Sequence, residues 1–282
     1  GVLLNIPLNY VLMFGKLGFP ALGTVGCGYA TSIVIWLQFL FLLVYIATHR
    51  HYRPFSLLSR LEMPHMKTII SLLKLGLPIA VAIAVEGSLF VGAALLIGQL
   101  GPVPAAAHLI AINFAALMFM IPVGLSSAIS IRVGNALGRG EPEAARYAGR
   151  IGLLIVFLFQ TVSAIAMFLF PELIVRIYTD DVAVGTLAVS LLFYAAIFQY
   201  PDGVQMVMAG ALRGYKDTRM PMVYTIVAFW IVGMTLGYTL TFNRGMGPAG
   251  MWIGMIGGLT VASVLMLRRF HHTSNKEIVG AT

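Results

Sequence analysis

Long apolar runs separated by short polar connections make up most of the sequence. Each full run has about 20 residues or more, which is the length that an α-helix needs to cross the hydrocarbon core of a bilayer. The pattern predicts the end of one span at residues 1–14, followed by seven full spans near residues 23–46, 75–98, 106–131, 151–171, 183–212, 221–242 and 248–267. The sequence therefore predicts an all-α membrane protein, a multispanning helical bundle with about seven full spans plus part of one more.

The composition agrees with this class. Hydrophobic residues make up 59% of the chain, charged residues make up 10%, and the mean hydropathy is +0.92. Soluble domains contain roughly 45–50% apolar and 25% charged residues, so an ordinary soluble domain is excluded. The formal net charge of +8 would favour a nucleic-acid partner only if it were clustered on a soluble face. In a membrane protein such an excess records topology, and we expect no nucleic-acid partner.

The basic residues are distributed unevenly between the two sides of the membrane. When the connections are assigned alternately to two sides, one side carries only Lys16, Arg176 and Arg244 of the 18 Lys and Arg residues. Cytoplasmic connections are enriched in Lys and Arg, so the other side is predicted to be cytoplasmic. It carries the remaining fifteen, which are Arg50, Arg53, Arg60, Lys67, Lys74, Arg132, Arg139, Arg146, Arg150, Arg213, Lys216, Arg219, Arg268, Arg269 and Lys276.

The longest connection predicts the domain organisation. Residues 47–70 are polar and basic and contain two prolines, which is typical of a linker. We interpret residues 1–46 as the end of a first lobe, 47–70 as a cytoplasmic linker, 71–270 as a second lobe of six spans and 271–282 as a cytoplasmic tail. Because the chain begins without Met and inside an apolar run, we expect it to be a fragment whose partner is the missing first lobe of the same protein.

Two carboxylates lie inside the predicted spans. Of the ten acidic residues, only Glu86 and Asp202 are not in the connections or the tail. Glu86 is twelve residues from both Lys74 and Gly98, and Asp202 is eleven residues before Arg213, so both lie near mid-membrane depth. A charge at that depth costs roughly 2.5–3.5 kcal/mol on insertion scales, and such residues usually mark an ion or substrate path.

No Lys or Arg lies inside a predicted span to pair with these two acids. The pair is therefore predicted to form a cation site or a proton-accepting pair. The structural alternative is two protonated acids that form hydrogen bonds with their neighbours. Polar and aromatic residues nearby in the sequence favour the functional interpretation, because an aromatic face can hold a cation. They are Ser88, Phe90, Tyr194, Gln199, Tyr200 and Gln205.

Two glycine patterns have structural explanations. Residues 245–250 spell GxGxxG, but they follow a span rather than a strand, and no acidic residue lies about twenty positions further on, so a nucleotide site is not predicted. We expect a turn and a tightly packed helix start. Gly134 and Gly138 form a GxxxG pair, a weak signal for helix packing.

The sequence offers no catalytic motif. It contains no nucleophile elbow, phosphate-binding loop or HxxxH pair. A membrane-embedded transferase would need a catalytic His or Cys at the membrane surface, and only His108, expected near the outer surface, and Cys27 are candidates. We therefore predict that the protein is not an enzyme and needs no cofactor.

Several stretches resemble one family over nearly the whole chain. They are Asn5–Thr31, Leu75–Phe90, Ala106–Gly140, Leu212–Pro221 (LRGYKDTRMP) and Met246–Gly254 (MGPAGMWIG). Together with Glu86 and Asp202, they resemble the multidrug and toxic compound extrusion (MATE) transporters, in particular the NorM-like bacterial branch. The resemblance implies a multi-pass protein of the bacterial inner membrane that exports cationic, amphipathic drugs in exchange for Na⁺ or H⁺.

The resemblance also implies roles for individual residues. Glu86 and Asp202 take the positions of the coupling carboxylates, and they would be the ligands if the coupling ion is the metal ion Na⁺. Phe90 takes the place of an aromatic residue beside the ion site. Asp180 and Asp181 match an acidic pair near the outer mouth that is implicated in drug contact. The remaining residues of the predicted cavity are Ser88, Tyr194, Phe198 and Gln205.

The chain departs from the family pattern at Leu109, where relatives often carry Gln, and at Phe198, where some carry Tyr. The main alternative function is a flippase of polysaccharide or lipid-linked precursors on a similar fold. A flippase would be expected to hold its anionic substrate with intramembrane Arg or Lys, and the predicted spans contain neither.

Overall fold

The computed structural model describes residues 1–18, 20–49 and 65–281. Most of the predicted linker, including Arg50, Arg53 and Arg60, lies outside the described residues. The chain divides into two compact units, Gly1–Met66 and Lys67–Thr282.

The first unit is a pair of helices, α1 (Val2–Phe14) and α2 (Gly23–Thr48), which pack against each other. Gly15 ends α1 in the left-handed conformation, with φ 64°. Gly26 permits the close crossing of the two helices, because a side chain at this position would collide with the backbone of Leu12. Two of the predicted elements, the partial span and the first full span, are therefore helices.

The second unit contains seven further helices. They are α3 (Met66–Gly98), α4 (Pro102–Gly138), α5 (Pro142–Leu169), α6 (Pro171–Arg176), α7 (Val182–Gly214), α8 (Arg219–Asn243) and α9 (Pro248–Ala281). Proline occupies the first position of α4, α5, α6 and α9, where its missing N–H would have had no intrahelical partner.

Among the described residues, seven helices are long and apolar enough to cross a membrane, and they coincide with the seven predicted full spans. The prediction of an all-α, multispanning fold is confirmed. Several helices extend beyond the predicted bounds: α3 begins at Met66, α4 continues to Gly138, and α9 continues to Ala281. Hydropathy marks only the part of a helix that lies in hydrocarbon, so it misses polar turns that continue the same helix into water.

Helix α7 is central to the second unit and packs against α4, α5 and α9. Its buried residues include both polar and apolar side chains from Val184 to Leu212. The largest fully buried side chains around it include Trp252, Phe198 and Phe229. This core places the middle of α7, and with it Asp202, in the interior of the unit.

Helices α8 and α9 come into close backbone contact. Helix α8 contains two π-helical stretches, Val227–Met234 and Thr239–Asn243. A side chain at Gly254 of α9 would overlap the backbone of Gly237, and one at Gly258 would lie 2.9 Å from the Cα of Gly233. Glycines on both helices therefore let the two backbones touch, which is the usual basis of small-residue packing in membranes.

The two glycine patterns found in the sequence have different outcomes. Gly245 and Gly247 have positive φ angles in the turn before α9, and Gly250 lies against the backbone of α8, as expected for a turn and a tightly packed helix start. At Gly134 and Gly138, in contrast, a side chain would meet nothing closer than 4.0 Å, so this GxxxG pair does not mediate close packing between the described residues.

Candidate functional site

Glu86 lies on α3 at the edge of a small cavity. Gln205 of α7 donates a hydrogen bond from Nε2 to Glu86 Oε1 over 3.3 Å. We call the space beside this pair the Glu86 cavity. It has a volume of about 60 Å³ and is lined by Ile79, Ala82, Ile83, Glu86, Gln205, Met206, Ala209, Arg213, Thr218, Pro221, Thr225 and Met266.

Asp202 lies on α7, directly after Pro201, and is only 4% exposed. Its Oδ1 atom is buried and has no hydrogen-bond partner among the described residues. It lines a second space, the Asp202 cavity, with a volume of about 220 Å³. The other lining residues are Phe90, Ile112, Ala115, Ala116, Phe119 and Phe198.

The two carboxylates lie on different helices, Glu86 on α3 and Asp202 on α7. They do not line a common cavity, although the sequence suggests one shared site. Gln205 connects them, because it lies one helical turn after Asp202 on α7 and contacts Glu86 on α3. The arrangement is two neighbouring cavities, each with one carboxylate.

Aromatic rings surround the Asp202 cavity and continue away from it. The rings of Phe90 and Phe198 meet edge to face with centroids 6.0 Å apart, and Phe198 meets Trp252 in the same manner at 5.5 Å. Trp252 in turn contacts His108 at 5.7 Å. The sequence predicts Phe90 and Phe198 but not Trp252, which lies fifty residues after Asp202 on α9 and carries no sequence signal of its own.

His108 lies near the start of α4, and its depth near the outer membrane surface stays a prediction. Its side chain is only 1% exposed and packs against Trp252. The apolar positions around it on α4 bury this face of the helix against α7 and α9. A catalytic role at the membrane surface would require an accessible imidazole, which His108 does not provide.

Polar residues beside Asp202 bind to α5. Gln199 donates to the backbone oxygen of Gln160 at 3.1 Å, and the hydroxyl of Tyr200 donates to Thr161 Oγ1 at 3.2 Å. Gly203 leaves room for the side chain of Gln160, which would collide with any β-carbon there. These contacts fix the rotation of α7 and direct Asp202 toward the α4 side.

Two of the predicted cavity residues do not line either cavity. The Ser88 hydroxyl donates to the Val85 carbonyl at 2.7 Å and accepts from Trp230 Nε1 at 3.0 Å, so it connects α3 to α8. Tyr194 packs against the hydrophobic core. In the described part of the chain, neither residue contributes to the surface of the Glu86 or the Asp202 cavity.

Asp180 and Asp181 lie at the start of α7, away from both carboxylates. The Asp181 carboxylate accepts hydrogen bonds from the backbone N–H groups of Ala183 at 2.8 Å and Val184 at 3.0 Å. It therefore caps the helix, a structural role that the sequence analysis did not assign to it. Both acids line an open surface groove that also contains Arg176.

Arg213 is a charged residue that hydropathy places in a connection. Helix α7 continues to Gly214, and the Arg213 side chain lines the Glu86 cavity. A cation therefore lies beside Glu86, although no ion pair joins the two among the described residues. The hydropathy pattern ends the span before Arg213. The long side chain of Arg213 nevertheless lines the cavity.

The oxygen atoms around the two cavities could hold a small hard cation or a proton. Asp202 Oδ1 and Gln205 Oε1 are buried and have no partner among the described residues. Ionised carboxylates and amide oxygens are acceptors, and oxygen ligands suit hard cations. A bound proton or cation would satisfy atoms that otherwise carry the full cost of burial.

The fold and the site define a multi-pass helical membrane protein with carboxylates inside its spans, as transporters have. Comparison with known proteins agrees: the family model MatE matches residues 78–239. The chain belongs to the MatE family.

Two relatives and one solved structure illustrate the similarity. "Probable multidrug resistance protein NorM" of Xanthomonas axonopodis pv. citri is 49% identical over 276 residues, covering 98% of this chain and 60% of the relative. Multidrug resistance protein PmpM of Pseudomonas aeruginosa is 43% identical over 282 residues, covering 99% of this chain and 59% of the relative. The crystal structure of the eukaryotic MATE transporter AtDTX14 is 22% identical with a TM-score of 0.83, covering 100% of this chain and 63% of that one.

The chain thus spans about 60% of the length of these curated relatives. At 22% identity, the structural likeness shows the fold alone.

Proposed function

We propose that the protein is a secondary active multidrug transporter of the bacterial inner membrane, which exports cationic, amphipathic compounds in exchange for inward-moving Na⁺ or H⁺. The observation that carries this proposal is Asp202, a carboxylate that is 4% exposed at the middle of a spanning helix and lines an aromatic cavity. Burying an ionisable group at this depth costs free energy, and such groups in membrane proteins usually have a function. The relatives' names as multidrug resistance proteins support the same substrate class.

The Asp202 cavity has the chemistry for a lipophilic cation or a small coupling ion. Its walls are apolar and aromatic, with rings of Phe90, Phe119 and Phe198, and its one charged group is a carboxylate. Aromatic faces attract cations, and the effect is larger in a desolvated site. Its volume of about 220 Å³ suits a small cation or one part of a larger drug.

Competition supplies the coupling in this proposal. A coupling cation that neutralises Asp202 or Glu86 lowers the affinity of the site for a cationic drug. By linkage, the drug lowers the affinity for the coupling cation by the same factor. Alternating exposure of the site to the two sides requires one bundle to rock against another, which in the complete transporter would be the first lobe.

The two cavities bear differently on the flippase alternative. Arg213 is a cation beside the Glu86 cavity, so the absence of an intramembrane cation no longer counts against an anionic substrate. The Asp202 cavity is the larger of the two, and among the described residues its lining contains a carboxylate and no Lys or Arg. A phosphate or pyrophosphate group would be repelled there, and we therefore favour a cationic substrate.

The test is dye efflux from cells that produce the protein, with external Na⁺ and pH varied independently. We expect efflux of a lipophilic cationic dye to depend on the inward gradient of one or both ions. An uncharged dye of similar size and an anionic dye serve as matched probes. Efflux of the anionic dye only, or cationic efflux that ignores both gradients, would contradict the proposal.

A further inference from the structure

Arg213 points into the Glu86 cavity from the end of α7, and one hydrogen bond holds it there. Its Nη2 atom donates to Ser126 Oγ at 2.7 Å. Ser126 is fully buried on α4, and its hydroxyl in turn donates to the backbone oxygen of Met206 at 2.7 Å. The guanidinium is therefore fixed at the cavity wall rather than extended into the aqueous phase.

Small residues on α7 make this arrangement possible. A side chain at Gly210 would collide with the hydroxyl and the carbonyl of Ser126, and one at Gly214 would lie 2.7 Å from Val133. Because these two positions have no side chain, α4 and α7 can approach each other closely at the level of Arg213. The sequence thus places a buried hydroxyl where it can orient the guanidinium.

The Arg213 guanidinium and the Glu86 carboxylate face the same space without forming an ion pair. Each lines the Glu86 cavity. The hydrogen bond that Glu86 accepts from a side chain comes from Gln205 instead. The Nε atom of Arg213 is buried and has no partner in the described part of the chain. A positive charge thus remains near Glu86 without neutralising it by direct contact.

The surroundings contain few other charges. The cavity is lined by residues of α3, α7, α8 and α9, and its only ionisable lining residues in the described chain are Glu86 and Arg213. Asp202 is a further acid on α7, one helical turn before Gln205. Arg219, at the start of α8, is exposed and does not line the cavity. In a region with an effective dielectric constant of about 20, two charges several ångströms apart still interact appreciably.

Building on the proposed function, we propose that Arg213 is a positioning residue that sets the affinity of Glu86 for the coupling cation. Its fixed positive charge stabilises the empty carboxylate and repels a cation that occupies it. The cavity runs from Glu86 to Thr218 and Pro221 at the end of the helices that carries most of the basic residues. Because Arg213 lines this cavity, its repulsion weakens binding of the cation at Glu86 and speeds its release.

The test compares charge-removing and charge-conserving variants of the protein. Arg213→Gln removes the charge, Arg213→Lys keeps it, and Arg219→Gln removes an exposed arginine from the same side of the membrane as a matched control. Cation binding to purified protein is measured with radioactive Na⁺ and, separately, by proton uptake after a pH jump. The concentration of Na⁺ or H⁺ at half-maximal dye efflux is measured in cells.

We expect Arg213→Gln to bind the coupling cation about three- to tenfold more tightly and to reach half-maximal efflux at a correspondingly lower cation concentration, with a lower maximal rate because release is slower. This range corresponds to two charges that are partly screened. The cation affinity of Arg213→Lys should stay within about twofold of wild type, and Arg219→Gln should have the wild-type affinity. A purely structural role predicts the opposite pattern, a loss of binding and transport that Lys does not restore.

Ser126→Ala keeps the charge but removes its anchor, and it provides a second test if Arg213→Gln does not reach the membrane. It should shift the half-saturating cation concentration in the same direction by a smaller factor. If both Arg213→Gln and Ser126→Ala fold and bind the cation with wild-type affinity, the proposal for Arg213 is wrong. If the wild-type protein itself shows no Na⁺- or H⁺-dependent efflux, the proposed function fails instead, whereas the binding measurement still reports on Arg213.

Discussion

Gln205 donates a hydrogen bond to Glu86 over 3.3 Å and thereby connects α7 to α3 at the middle of the span. A second hydrogen bond, from Trp230 to Ser88 at 3.0 Å, connects α3 to α8 only two residues away. A cation bound at the proposed site on Glu86 would have to compete with or rearrange this contact between α3 and α7.

Neutral variants of the two carboxylates should separate transport from folding. Glu86→Gln can still accept the hydrogen bond from Gln205, and Asp202→Asn has nearly the volume of the acid, so neither should unfold the protein. We expect each to reduce cation-driven dye efflux at least about tenfold, because the charge that binds the coupling ion is lost. The measurement is efflux at matched amounts of protein in the membrane, and wild-type drug resistance in either variant would show that the residue is not a coupling site.

Filling the Asp202 cavity should weaken the apparent affinity for the dye more than it lowers the stability of the protein. Ala115→Leu adds three carbon atoms to a space of about 220 Å³, which can accept them without the 1–3 kcal/mol cost that overpacking typically brings. We expect the dye concentration at half-maximal efflux to rise severalfold. Ala128→Leu, at an exposed position on the same helix, is the matched control and should leave this concentration unchanged. Equal effects of both variants would mean that the cavity does not hold the dye.

The acidic pair at the start of α7 allows charge to be separated from capping. Asp181→Asn removes the charge but can still accept hydrogen bonds from Ala183 and Val184, whereas Asp181→Ala cannot. We expect only the Ala variant to lose about 1 kcal/mol of stability, seen as a lower Tm of the purified protein.

The same pair also tests the predicted role in drug contact. The combined variant Asp180→Asn with Asp181→Asn should weaken the apparent affinity for several cationic dyes while leaving the dependence on the coupling ion nearly unchanged. An unaltered concentration dependence for all of them would instead identify the pair as an ordinary hydrated loop with a cap.

The glycine contact between α8 and α9 should be sensitive to a single methyl group. Gly254→Ala would place a β-carbon against the backbone of Gly237, which cannot move aside as a flexible side chain can. We expect a loss of about 1–3 kcal/mol or more, measured as reduced Tm in detergent. Gly124→Ala on α4, where a side chain meets nothing within 4 Å, should be neutral or slightly stabilising. Comparable losses at both sites would show that this contact is not rigid.

The sequence by itself determined the membrane spans and the depth of the two carboxylates. Each apolar run is a local property, because the transfer free energy of a helix is close to a sum over its own residues. The rise of 1.5 Å per residue then places Glu86 and Asp202 near mid-span without any knowledge of neighbouring helices. The turn before α9 was also predictable, because glycine readily adopts the positive φ angles that Gly245 and Gly247 have there.

Only the tertiary structure decided which side chains meet. The separation of Glu86 and Asp202 into two cavities, the participation of Trp252 and the reach of Arg213 into the Glu86 cavity all depend on how α3, α4, α7 and α9 are rotated and how closely they cross. Those rotations follow from contacts between residues far apart in sequence, such as Ser126 with Arg213. Hydropathy sums the cost of burial along one helix, so it cannot report an interaction whose free energy belongs to a pair of side chains on two helices.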